Sequence, residues 1–203
     1  MMLFLLRGIL IGLIFGLPAG AVGAMTVQRT FQYGIRAGLI TGLGSSVADC
    51  FYASIGAFGL TLISDFLLQG QNIIHCAGGC LILAMGIGIL WKKDAGNRKD
   101  VETSGFLRMF LSSFAVGITN PAAILTFLLA FSWFGIGEIT GFAEGILLVC
   151  GVFLGTYIWW GFLAVGTERL KKKAKQMNLL RVNKIFGGIL IILGVGILIG
   201  FLI

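Results

Sequence analysis

The stretch Gly16-Leu17-Pro18-Ala19-Gly20 interrupts an apolar run near the start of the chain, and Gly117-Ile118-Thr119-Asn120-Pro121 interrupts another in its second half. Pro18 and Pro121 are the only 2 prolines among 203 residues, and each holds nearly the same place in its half. Inside a helix, a proline removes one backbone hydrogen bond and clashes with the preceding turn. In a bilayer such a break is tolerated only where the freed backbone is buried in protein or lines a cavity. Prolines are also commoner in membrane helices than in soluble ones, which would account for one of them. Two at matched places point instead to a repeat-built transporter whose site lies between the breaks.

Composition sets the class. Hydrophobic residues make up 58% of the chain and charged residues 11%, against about 25% charged in a soluble domain, and the mean hydropathy is +1.02. The sequence predicts an all-α membrane protein with six spans, at 3–25, 37–63, 73–91, 109–134, 143–166 and 185–203. Each approaches the roughly 20 residues that cross a hydrocarbon core. Three spans precede the basic segment 92–108 and three follow it. An odd number per unit inverts the second unit, so the expected architecture is two inverted three-helix repeats, 1–91 and 109–203, joined by a cytoplasmic linker 92–108, with helices 1 and 4 broken at proline.

Every Lys and Arg except Arg7 falls in the segments after spans 1, 3 and 5: Arg29 and Arg36, then Lys92 to Arg108, then Arg169 to Lys184. Positive residues stay cytoplasmic. The expectation is a multi-pass protein of the cell's inner (cytoplasmic) membrane, with both termini outward. Trp91 and Trp133 suit interface positions. The net charge of +7 is accounted for by this rule. The run Lys171-Lys172-Lys173 reads as a topology marker with weak lipid contact, and nucleic-acid binding is excluded as an explanation. Arg7 follows Leu3-Phe4-Leu5-Leu6 instead of preceding the apolar run, so the N-terminus reads as a retained span rather than a signal peptide.

Asp49 falls midway along span 2. A charge at that depth is costly and marks a functional position by default. Ser45 and Ser46 lie one turn before it and Tyr52 and Ala53 one turn after, on the same helix face. With Gly42 they form a small, polar face suited to lining a cavity; a structural hydrogen bond from Asp49 to a broken helix is the alternative. Asn120 before Pro121 can bond exposed backbone, and Gly20 after Pro18-Ala19 gives the chain freedom there. Half-helix N-termini attract a carboxylate; exposed carbonyls and Asp49 attract a cation or ammonium. A zwitterionic amino acid satisfies both. The candidate substrate or ion site is therefore Asp49, Pro18, Ala19, Gly20, Ser45, Ser46, Tyr52, Asn120 and Pro121, with no catalytic residue, cofactor or metal.

The glycines Gly8, Gly12, Gly16 and Gly20, and Gly34, Gly38 and Gly42, recur every four residues. Such stripes let helices approach closely. The favoured reading is packing between spans 1 and 2; the alternatives are a homodimer interface or a sliding surface. Cys50, Cys76, Cys80 and Cys150 form no CxxC pair. They read as small apolar residues, with His75-Cys76-Cys80 as a metal alternative and Cys50 with Cys150 as a thiol-redox one.

The segments Pro18-Ala19-Gly20, Gly34-Ile35-Arg36-Ala37-Gly38, Gly44, Asp49 and Gly117-Ile118-Thr119-Asn120-Pro121-Ala122-Ala123-Ile124 resemble the lysine exporter (LysE/RhtB-type) family of amino-acid exporters. Two departures are Pro18-Ala19-Gly20 in place of Pro-Gly-Pro and Ala48-Asp49 in place of Gly-Asp. The resemblance implies a non-enzymatic transporter that exports an amino acid or related metabolite by alternating access, driven by a proton or ion gradient. A divalent-cation exporter would need several hard oxygen ligands, yet Asp49 is the lone mid-span carboxylate. A thiol oxidoreductase would need cysteines beside the breaks, and no P-loop supports ATP-driven transport.

Overall fold

A computed structural model describes residues 2–16, 20–58, 71–91, 103–120, 127, 130, 141–173 and 179–202. They form α1 (Met2–Phe15), α2 (Ala21–Tyr33), α3 (Ile35–Ala57), α4 (Gln71–Trp91), α5 (Thr103–Ile118), α6 (Phe142–Lys173) and α7 (Leu179–Leu202), with no strand among the described residues. One of these, at Phe142–Lys171, is long and apolar enough to cross a bilayer on length and composition. Shorter apolar helices run Met2–Ile14, Gly79–Trp91, Gly105–Ile118 and Lys184–Gly196.

The first apolar run ends at Phe15, where the Gly16 amide closes the last turn on the Gly12 carbonyl at 3.0 Å. Helix resumes at Ala21 after Gly20, whose φ of 84° lies in the region that favours glycine. Pro18 and Ala19 lie between the two helices, outside the described residues. Residues 26–36, expected as a loop, are instead helical up to Tyr33. The cationic Arg29 misled that reading: its side chain finds hydrogen-bonding partners inside the protein. The linker expected at 92–108 is likewise helical from Thr103. Gly34, at φ 90°, reverses the chain so that α2 folds back along α3.

α3 is central. It packs on α2, α5 and α6, while α1 packs on α6 and α4 on α7. Small residues set these contacts. A methyl group at Gly8 would stand 2.9 Å from the Gly151 Cα, and one at Gly12 2.9 Å from the Gly155 Cα. The stripe on α1 therefore meets α6, in span 5, and not span 2 as expected. Gly38 faces Thr30 and Ala164, and Gly42 faces Trp160. At Gly44 a methyl would meet the Phe110 carbonyl and Phe114 amide of α5; at Gly151 it would meet the Leu5 carbonyl and Ile9 amide of α1. Close glycine contacts thus join α3 to α5 and α6 to α1.

The interior changes along α3. Towards Gly34 the buried polar side chains Thr26, Gln28, Thr30, Gln32, Thr41, Ser45 and Ser46 lie alongside an apolar cluster of Val22, Ala24, Met25 and Trp160. Beyond Asp49 the core is apolar, with Ile11, Ile55, Phe127, Leu148 and Val152 around Tyr52. The large apolar side chains left exposed, such as Leu6, Leu10 and Ile14 on α1 and Leu154, Ile158 and Phe162 on α6, suit a lipid surround.

Candidate functional site

Asp49 stands 15 positions after Gly34 on α3, and Gly20 stands 14 before it at the head of α2. At 1.5 Å per residue along two packed antiparallel helices, both lie about 21–23 Å from the Gly34 reversal. The half-buried carboxylate is thus at the depth of the α2 N-terminus, whose first amides lack intrahelical acceptors and carry the positive end of the helix dipole. Among the described residues no cation pairs with it.

Hydroxyls and helix ends surround this depth. One turn beyond Asp49, the buried Tyr52 donates its hydroxyl to the Ile118 carbonyl at the end of α5. The preceding carbonyl, Gly117, accepts from the Asn120 amide at 3.1 Å. One turn before Asp49, the fully buried Ser46 accepts a hydrogen bond from Thr156 on α6 at 3.1 Å. Thr156 also abuts Gly16, where α1 ends. Ser45, buried, lies against Gly117. The ends of α1 and α5 are therefore joined through Thr156, Ser46, Ser45 and Tyr52, all within two turns of Asp49.

The two ends are capped alike. Trp159 on α6 donates its indole N–H to the Leu13 carbonyl of α1, as Tyr52 on α3 does to Ile118 of α5. A carbonyl near a helix end lacks an intrahelical donor, and in an apolar surround an unmet one costs about 1–3 kcal/mol.

Of the residues singled out from sequence, Ser45 and Tyr52 meet the end of α5 at Gly117 and Ile118, where Asn120 closes the last turn, Ser46 meets Thr156, and Asp49 lies on the same helix within one turn of all three. Gly20 is exposed at the head of α2. Pro18, Ala19 and Pro121 lie outside the described residues. Sequence reading missed Thr156 and Trp159. The hydroxyl of Thr156 just before Tyr157-Ile158-Trp159-Trp160, in the apolar middle of that span, was the available signal. The polar face reads less as an open lining than as a packed one, since Gly42, Ser46 and Tyr52 are spent on Trp160, Thr156 and Ile118.

All four cysteines are free thiols, with Cys76, Cys80 and Cys150 exposed. Cys50 directs its Sγ to the Val149 carbonyl at 3.9 Å. Among the described residues no group of three His, Cys, Asp or Glu side chains converges.

The family model of the LysE type translocator matches residues 13–200. The chain belongs to the LysE type translocator family. Membership places it among membrane translocators. The chain is 26% identical to the uncharacterized membrane protein YahN of Escherichia coli (strain K12) over 148 residues, which is 71% of this chain and 66% of YahN. It is 26% identical to the chemotactic transduction protein ChpE of Pseudomonas aeruginosa, over 78% of this chain and 79% of ChpE. It is 29% identical to a threonine efflux protein of Salmonella typhi, over 60% of this chain and 61% of that protein. The chain thus spans slightly under two thirds of YahN and of the threonine efflux protein. No solved structure matches.

Proposed function

We propose that this LysE-type translocator is a gradient-driven exporter of an amino acid or closely related metabolite, working by alternating access around Asp49. The observation that carries the reading is the depth of Asp49. On α3 its carboxylate, which no cation pairs among the described residues, stands at the helical depth of the α2 N-terminus and one turn before Tyr52, which bonds the end of α5. The carboxylate favours an ammonium, and the helix N-terminus favours a carboxylate. A free α-amino acid presents both groups on one carbon atom. The threonine efflux relative supports the same substrate class.

Two inverted repeats, 1–91 and 109–203, would give the pairing found in the fold: α1 on α6 matched by α5 on α3, with α4 on α7 and α3 on α6 as contacts between equivalent spans. Under the charge rule the Gly34 side faces the cytoplasm and both termini face outward across the inner membrane. The buried hydroxyls and amides of α2 and α3 then lie on the cytoplasmic side of Asp49, and the apolar cluster around Tyr52 closes the outer side. Export requires that cluster to part while the cytoplasmic half closes, with Asp49 carrying the coupling proton or holding the substrate amine.

The test is efflux from loaded proteoliposomes against a panel of amino acids, with and without a pH gradient. Gradient-stimulated efflux of one or more of them is the expected result. A protein that moves none of them, yet releases a divalent cation, would move the assignment to the cation-exporter reading.

A further inference from the structure

We propose that Arg29 is a second substrate station, a carboxylate-binding subsite on the cytoplasmic side of Asp49; this rests on the amino-acid reading above. Arg29 lies on α2, five residues before Gly34, so its depth is about 8 Å from that reversal against about 22 Å for Asp49. An amino acid cannot span that gap, so the two residues serve successive positions of one substrate.

The guanidinium is half-buried, and its partners are all neutral. Nη1 donates to the Thr41 hydroxyl at 3.2 Å and to the Met109 carbonyl at 2.8 Å, and Nη2 donates to the Ser112 hydroxyl at 2.7 Å. A guanidinium carries five N–H donors in a fixed fork, and these three contacts leave two of them unspent. Two of the acceptors are shared: Ser112 itself donates to the Arg108 carbonyl at 2.6 Å, and its oxygen lies 3.1 Å from the Met109 carbonyl. No ion pair balances the charge among the described residues. The present bonds are assisted by the guanidinium charge alone, whereas a carboxylate adds an opposite charge and a bidentate match to the fork. A carboxylate arriving at this position therefore competes with the α5 acceptors and supplies the missing negative charge. A topology marker needs only to be basic and solvated, as the exposed Arg36 is; Arg29 is half-buried and, among the described residues, has no anionic partner.

The discriminating experiment compares threonine, as the first amino acid tested, with threoninamide, which lacks the carboxylate. Uptake into proteoliposomes from the cytoplasmic face is measured for the wild type, Arg29→Gln, Arg29→Lys and Arg36→Gln. Arg29→Gln is expected to raise the half-saturating threonine concentration at least tenfold and leave that of threoninamide unchanged. Arg29→Lys should fall between, because an ammonium keeps the charge and loses the fork, and Arg36→Gln should match wild type. If Arg29→Gln does not fold, the threonine-to-threoninamide ratio for Arg29→Lys decides. Equal weakening of both compounds, no change in either, or the same effect from Arg36→Gln overturns the assignment. If the wild type moves threoninamide or another solute but no amino acid, it is the substrate reading itself that falls, and this subsite with it.

Discussion

The hydroxyl of Tyr52 on α3 donates to the carbonyl of Ile118 at the end of α5. One bond thus ties the helix that carries Asp49 to the helix that stops before Pro121. The indole of Trp159 on α6 does the same for Leu13 at the end of α1.

Removing either donor should therefore weaken the protein without emptying its core. Tyr52→Phe and Trp159→Phe keep a ring in place and leave a carbonyl unmet, at a cost of about 1–3 kcal/mol. Thermal unfolding in detergent should show lowered midpoints for both variants, and transport should fall severalfold. A wild-type midpoint for both would mean that water or another group meets those carbonyls instead.

Asp49→Asn separates two roles for the carboxylate. If Asp49 carries the proton, the amide mimics a permanently protonated side chain, so gradient-driven export should collapse while substrate exchange survives. If Asp49 grips the substrate amine, export and exchange should fall together. Both modes are measured in the same proteoliposomes, and wild-type rates in both would make the residue structural.

The α1–α6 contact should be intolerant of volume. A leucine at Gly155 would drive into the α1 backbone around Ile9 and Gly12, and overpacking of this kind costs about 1–3 kcal/mol or more. Gly88 has open space around it, so Gly88→Leu is the matched control. Yield and unfolding midpoint should drop for Gly155→Leu alone.

Changing Cys50, Cys76, Cys80 and Cys150 to alanine should preserve most transport, since three are exposed and the fourth makes only a long sulfur contact. Loss of activity in a folded variant would revive thiol or metal chemistry. In that background, a single cysteine at Asn97, which lies outside the described residues, should resist membrane-impermeant reagents in intact cells. Strong labelling from outside would reverse the orientation.

Much of the helical architecture was legible because it rests on apolar composition and on which residues cannot continue a helix. The interruption after Phe15 and the end of α5 at Ile118 both fall beside the segments that opened the reading. Asp49 stood out because a carboxylate is rare in such a span. What stayed hidden depends on which helices touch. The glycine stripe of α1 announced close packing but could not name α6 as the partner, since sequence spacing fixes a face and not its neighbour. Arg29 was indistinguishable from any loop arginine until Thr41, Met109 and Ser112 were brought around it. Thr156 and Trp159 lie in the second half of the chain, and only tertiary contact puts them beside Gly16 and Leu13.

The pairing of α1 with α6 has a consequence for how the chain is made. α1 ends at Phe15, and its glycine-lined partner begins at Phe142. At translation speeds of about 5–20 residues per second, the ribosome needs on the order of ten seconds to deliver that partner. Throughout that interval the first helix, 14 residues long and about 21 Å at helical rise, is shorter than the roughly 30 Å hydrocarbon core. Until then its glycine face is uncovered. Assembly of the two halves is then a late event, because α1 has no other extensive packing partner among the described helices.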